Sequence, residues 1–92
     1  MSTTIRISPA LQEYINIPSS IEAQGNTISE CLDDLIHKYP AIRACLFERN
    51  DLLRVLISIN NVEILSVDKK TDMDRIIDTD DEIYILAIVA GG

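Results

Sequence analysis

Near its end the chain carries seven consecutive apolar residues, Ile83-Tyr84-Ile85-Leu86-Ala87-Ile88-Val89. Read as a strand, this run is apolar on both faces, and such a strand belongs at the centre of its sheet. The rest of the chain must therefore supply flanking strands and something to lie across them. It has 92 residues and 10.3 kDa for the task. That length allows one domain with one modest core.

The flanking strands are legible. Thr3 to Ser8 alternates, with Ile5 and Ile7 on one side and Thr4, Arg6 and Ser8 on the other, and Pro9 stops it. Ala10 to Ile17 is apolar but irregular; Ser19 to Ala23 alternates again through Ile21 and Ala23. The whole stretch reads as a hairpin with a wide connection. Its second strand lies at an edge, where Pro18 is tolerable. Leu52 to Ile59 is a further strand, with Leu53, Val55, Ile57 and Ile59 on one face and Arg54, Leu56 and Ser58 on the other. Asn60-Asn61 is a two-residue turn that tolerates positive φ, and Val62-Glu63-Ile64 returns as a short strand.

One helix is clear. Gln24-Gly25-Asn26 forms a turn before it, and Thr27 with Glu30 makes a capping box. Ile28, Cys31, Leu32, Leu35, Ile36 and Tyr39 recur at three- and four-residue spacing as one apolar stripe. Pro40 ends the helix at Tyr39. Ala41 to Phe47 adds a short turn that tucks Ile42, Leu46 and Phe47 under the sheet. Ser66 to Glu82 is acidic and loop-like, with one helical turn around Met73, Ile76 and Ile77. The order is strand, strand, helix, strand, short strand, helical turn, strand. With the first and last strands parallel at the middle, this is an α+β fold of the β-grasp, or ubiquitin-like, kind.

Charge and composition exclude several functions. Fifteen Asp and Glu against eight Lys and Arg give a net charge of −7. Nucleic acid and anionic membranes would repel such a chain, and a basic protein surface complements it. No stretch approaches the ~18 apolar residues of a membrane span, and Met1-Ser2-Thr3-Thr4 lacks a signal-peptide pattern, so the expected address is the cytoplasm. Cys31 and Cys45 are too few for a disulfide scaffold and too far apart in sequence for a zinc or redox pair. They also cannot ligate the four-cysteine cluster of a ferredoxin. His37 alone makes no metal cluster.

Two of the three glycines are the final two residues, Gly91 and Gly92. At the average glycine frequency that ending has odds of about one in two hundred. Glycine weakens a strand and adds no packing, so the core has no use for it there. Two residues without Cβ can pass a narrow channel and carry the terminal carboxylate into a partner's nucleotide site. The expected division is a body over residues 1–87 and a flexible tail over 88–92. Fully extended, that tail spans about 17 Å, against an expected domain radius of about 12 Å.

The segment from Asp81 through Val89 to Ala90-Gly91-Gly92 resembles the end of the MoaD/ThiS family of ubiquitin-like sulfur carrier proteins. The resemblance extends to the opening strand through Ile7, the Gly25-Asn26-Thr27 helix start and the Asn60-Asn61 turn. Tyr39 to Leu46 and Leu53-Arg54-Val55 are most similar to CysO-type carriers, which serve cysteine synthesis. Two departures stand out. Ala87 and Ile88 occupy positions where many relatives carry proline. Asp78-Thr79-Asp80-Asp81 lacks the glycine common in that turn.

The resemblance implies that an E1-like enzyme adenylates the Gly92 carboxylate with ATP and Mg²⁺, which the enzyme binds and the carrier does not. A sulfur donor then displaces AMP, leaving a thiocarboxylate for a second, sulfur-accepting biosynthetic enzyme. The carrier itself is not an enzyme, holds no cofactor and is a monomer when free. Gly91 and Gly92 carry the chemistry, and Val89 and Ala90 before them bind the partner. Leu56, Tyr84, Leu86 and Ile88 form an apolar open face of the sheet, suited to partner docking or to self-association. Other readings are the small subunit of molybdopterin synthase, a modifier joined through Gly92 to lysines, and a plain binding module with an idle tail. Cys31 reads as a core thiol and His37 as a solvated helix residue. Arg43, Arg49 and Arg54 form either a small basic patch or ordinary solvated surface.

Overall fold

The structure is a computed structural model and describes residues 2–48 and 53–89. Five strands form one mixed sheet: β1 (Ser2–Ile7), β2 (Ser20–Gln24), β3 (Leu53–Ile59), β4 (Glu63–Leu65) and β5 (Glu82–Val89). Their spatial order is β2-β1-β5-β3-β4. The apolar last strand is thus central, parallel to β1 and antiparallel to β3. The helix α2 (Ile28–Lys38) supplies the main cover on one face of the sheet. This is the expected β-grasp arrangement, and Ile83 and Ile85 of β5 are fully buried in the core with Leu32 and Leu35 of α2.

Local chemistry sets the helix start. The Thr27 hydroxyl accepts from the Glu30 N–H at 3.1 Å, while the Glu30 carboxylate accepts from the Asn26 N–H at 2.7 Å. The reciprocal bond thus reaches one residue further back than a standard capping box. Gly25 makes this close approach possible. Its φ is +155°, and a Cβ there would sit 2.7 Å from the Glu30 Cβ and 2.8 Å from the Cys31 nitrogen. The Asp34 carboxylate accepts from the Gln24 N–H at 2.8 Å and pairs with Lys38, tying α2 to β2.

Several expectations need correction. The connection between β1 and β2 contains a short helix, α1 (Pro9–Gln12), which Ser8 caps and in which Pro9 takes a first-turn position. Pro9 therefore starts a helix as well as stopping a strand. Pro18 lies ahead of β2 rather than within it. In α3 (Ile42–Phe47), Ile42 and Leu46 are buried as expected, but Phe47 is 49% exposed. Asn60 and Asn61 do adopt positive φ, 54° and 62°. Val62 joins their turn, however, because Ile59 pairs with Glu63. This shifts β4 by one residue and leaves Val62 exposed and Leu65 buried. The helical turn α4 (Lys70–Met73) precedes Ile76, which is exposed, while Ile77 enters the core.

Candidate functional site

The pleat divides β5 between two surfaces. Ile83 and Ile85 face α2 and are fully buried; Tyr84 and Leu86 point to the opposite, open face and are half-buried. Register then assembles the expected patch. Leu86 lies opposite Leu56 of β3, and Tyr84 opposite Ser58. Ile64 of β4, opposite Ser58 on its other side, adds an exposed apolar side chain that the sequence reading had not placed here. The Leu56–Tyr84–Leu86 group is therefore brought together. The side chain of Ile88 lies outside the described residues, as do Ala90, Gly91 and Gly92, and of Val89 only the backbone is described.

A polar border closes one end of this patch. Arg6 Nε donates to Glu82 Oε2 at 2.6 Å, and the Thr4 hydroxyl bonds Glu22 of β2 at 3.0 Å. Glu82 holds the Arg6 guanidinium even more firmly protonated than usual, through this hydrogen bond and its charge. At the patch centre the Ser58 hydroxyl is buried with no hydrogen-bond partner among the described residues. The patch thus runs from a charged border at the start of β5 to an apolar field nearer its end.

The route from sheet to tail is held by residues whose roles the sequence reading did not identify. The parallel β1–β5 ladder ends at Ile7 opposite Ile85. Beyond it, the Ser8 hydroxyl accepts from the Ala87 N–H at 3.1 Å, replacing the next backbone rung. The same oxygen caps α1 through the Leu11 N–H at 3.4 Å. Ser8 had read as an outward strand residue; its place before a Pro-initiated helix was the available signal. On the other flank β5 pairs with β3 as far as Leu53 opposite Val89. The backbones of Ile88 and Val89 thus lie within the sheet, two residues past the boundary expected between body and tail.

The start of β5 is pinned as well. The Asn60 side chain donates to Asp81 at 2.9 Å and accepts from the Glu82 N–H at 2.8 Å. In the glycine-free turn, Asp81 N–H donates to the Asp78 carbonyl, and the Asp81 carboxylate accepts from the Asp78 N–H, both at 3.0 Å. The carboxylate does the closing work that glycine geometry would otherwise do. These bonds hold the Asp81 carboxyl below its ordinary pKa, the Asp78 N–H first and Asn60 second.

Among the described residues no group of three or more His, Cys, Asp or Glu could hold a metal ion. Burial pushes the Cys31 thiol up, as expected of a core cysteine, and does the same to half-buried Cys45. His37 is exposed, and Arg43 lies exposed on α3. Arg49 and the Arg54 side chain lie outside the described residues. No helix among the described residues is long and apolar enough to cross a membrane.

No family model and no curated protein matches the chain. Solved structures do match. A chain of the BexX/CysO complex from Amycolatopsis orientalis shares 27% identity at a TM-score of 0.72, over 98% of this chain and 99% of that one. CysO from Mycobacterium tuberculosis shares 24% at a TM-score of 0.71, over 95% and 99% of the two chains. The small archaeal modifier protein SAMP1 from Methanosarcina acetivorans shares 23% at 0.72, over 99% and 96%. Along almost its whole length, then, the chain is similar to CysO and to the small archaeal modifiers. The resemblance to ubiquitin-like, CysO-type sulfur carriers read from its residues holds in three dimensions.

Proposed function

We propose that the chain is a sulfur carrier whose reactive group is the Gly92 carboxylate. The observation that carries this reading is the treatment of β5. The most apolar strand sits between β1 and β3, is fastened at its start by Asn60 and near its end by Ser8, and leads directly to Ala90-Gly91-Gly92. A rigid base and a side-chain-free tip suit delivery of a chain end into another protein's active site. The three residues beyond Val89 reach about 10 Å when extended. Similarity to CysO supports the same reading.

In the proposed sequence of events, an E1-like enzyme binds ATP and Mg²⁺. A Gly92 carboxylate oxygen attacks the α-phosphorus, pyrophosphate leaves, and an acyl-adenylate forms. Sulfide then attacks the acyl carbon and AMP departs with the bridging oxygen, leaving the thiocarboxylate. A sulfur-accepting biosynthetic enzyme takes that sulfur. The carrier's own part is recognition and presentation: Leu56, Tyr84 and Leu86 dock it, and Gly91 and Gly92 enter the channel. It acts as a co-substrate of these enzymes rather than as a catalyst.

The test is ATP–pyrophosphate exchange with an activating enzyme from the same genome. Exchange should depend on the carrier and vanish on deletion of Gly92, with the circular-dichroism spectrum and melting temperature unchanged. Exchange that survives the deletion would refute a terminal-carboxylate mechanism. The same adenylate would serve a protein modifier. That second reading follows from the likeness to SAMP1, and Gly-Gly remnants on target lysines distinguish it.

A further inference from the structure

β4 is shorter than the strand it flanks. It pairs with β3 only from Ile57 to Ile59, and the chain then turns away at Ser66. The Asn60 N–H donates to the Glu82 carbonyl, so even-numbered positions of this antiparallel ladder direct their backbone groups toward β5. Odd-numbered positions of β3 direct theirs the other way. The N–H and C=O of Val55 therefore point past the end of β4. They open into a groove of about 470 Å³, with Val55 and Ile57 on one wall and Leu65 and Val67 on the other. Its lining also takes in Leu56 and Ile64 of the open face and, among polar residues, Asp68, Lys69 and Asp72.

We propose that this groove takes up an extended, basic segment of a partner protein as an added strand on β3. The groove adjoins the open-face patch, sharing Leu56 and Ile64 with it, but does not depend on the chemistry of the tail. Three observations select the occupant. The N–H and C=O of Val55, unpaired on this side among the described residues, ask for a backbone, which an extended peptide supplies. The walls carry apolar side chains beside about as much polar surface, and the volume suits a few side chains. Two carboxylates against one lysine line the groove, on a chain of net charge −7, so basic side chains complement it and a second copy of this chain is repelled. Asp68 is exposed, and its carboxylate makes no hydrogen bond or ion pair among the described residues. The Asp72 carboxylate uses one oxygen to accept from the Ser66 N–H at 3.0 Å.

The test is titration of the ¹⁵N-labelled full chain with an alternating Lys-Val hexapeptide, its Glu-Val counterpart and an N-methylated Lys-Val version. The Lys-Val peptide should shift Val55 and residues 65–69, with a Kd of about 1 mM or tighter. It should also slow amide exchange at Val55. N-methylation should abolish the effect, and Asp68→Lys, a surface change that leaves the core intact, should weaken binding about two- to fivefold. Four results would each overturn the proposal. These are equal binding of the Glu-Val peptide, shifts confined to Tyr84 and Leu86, a Val55 amide already protected without peptide, and a dimer in sedimentation.

Discussion

Ser8 does two jobs with one oxygen, capping α1 and extending the β1–β5 ladder to Ala87. Removing it leaves a cap and a rung unmade, each worth about 1 kcal/mol. Ser8→Ala should therefore lower stability by about 1–2 kcal/mol in urea melts. It should also speed amide exchange at Ala87 about tenfold relative to Ile83, because the loss is local. Gly25 offers a second residue-scale test. Gly25→Ala forces a Cβ to within 2.7 Å of Glu30 at a positive φ, and should cost about 2 kcal/mol or more by the same measurement. The sequence shows a glycine in a turn there, but not the helix start pressed against it, because that contact depends on how Glu30 reaches back to Asn26.

At the scale of elements, two carboxylates join neighbours: Asp34 links α2 to β2, and Asp81 links its turn to β5. Hydrogen bonds from Gln24 and Lys38 lower the Asp34 pKa from 3.8, and those from Asp78 and Asn60 lower that of Asp81. A carboxyl depressed in the folded state adds stability above its unfolded pKa, and loses it as pH falls through the folded value. Acid melts should therefore show stability flat above about pH 5 and declining below about pH 4, with a shallower decline in Asp34→Asn/Asp81→Asn. α2, with its helical apolar stripe, and β5, with its unbroken apolar run, were legible because burial imposes the pattern on the sequence. α1 was not, since four residues give no period and Pro9 signals either a stop or a start. β4 slipped by one because the positive φ of Asn60 and Asn61 sets where the turn begins, while tertiary pairing decides where it ends.

The open face belongs to both the element and the molecule. Leu56 and Leu86 are half-buried there without helix cover, so a charge at either is tolerated by the fold better than one at Ile85. Leu86→Asp should keep a cooperative melt while weakening capture by the activating enzyme about tenfold or more, measured by surface plasmon resonance. Ile85→Ala should instead destabilise the protein by about 2–5 kcal/mol. The side chains of this face were legible from alternation alone. Ile64 was missed because the one-residue shift in β4 placed it there, and the Ser8 latch was missed because it links residues 79 apart in sequence.

At the scale of the whole molecule, the proposed function makes the sheet, the charge and the open face a body that presents one chain end to partners. The radius of gyration is 12.2 Å, and β5 is held between β1 and β3 along the body. The most direct measurement is the intact mass of the protein after incubation with its activating enzyme, ATP, Mg²⁺ and sulfide. The account predicts one oxygen exchanged for sulfur, located by fragmentation at Gly92. An unchanged mass while the same enzyme charges another carrier, or sulfur found on Cys31 or Cys45 instead, would contradict it.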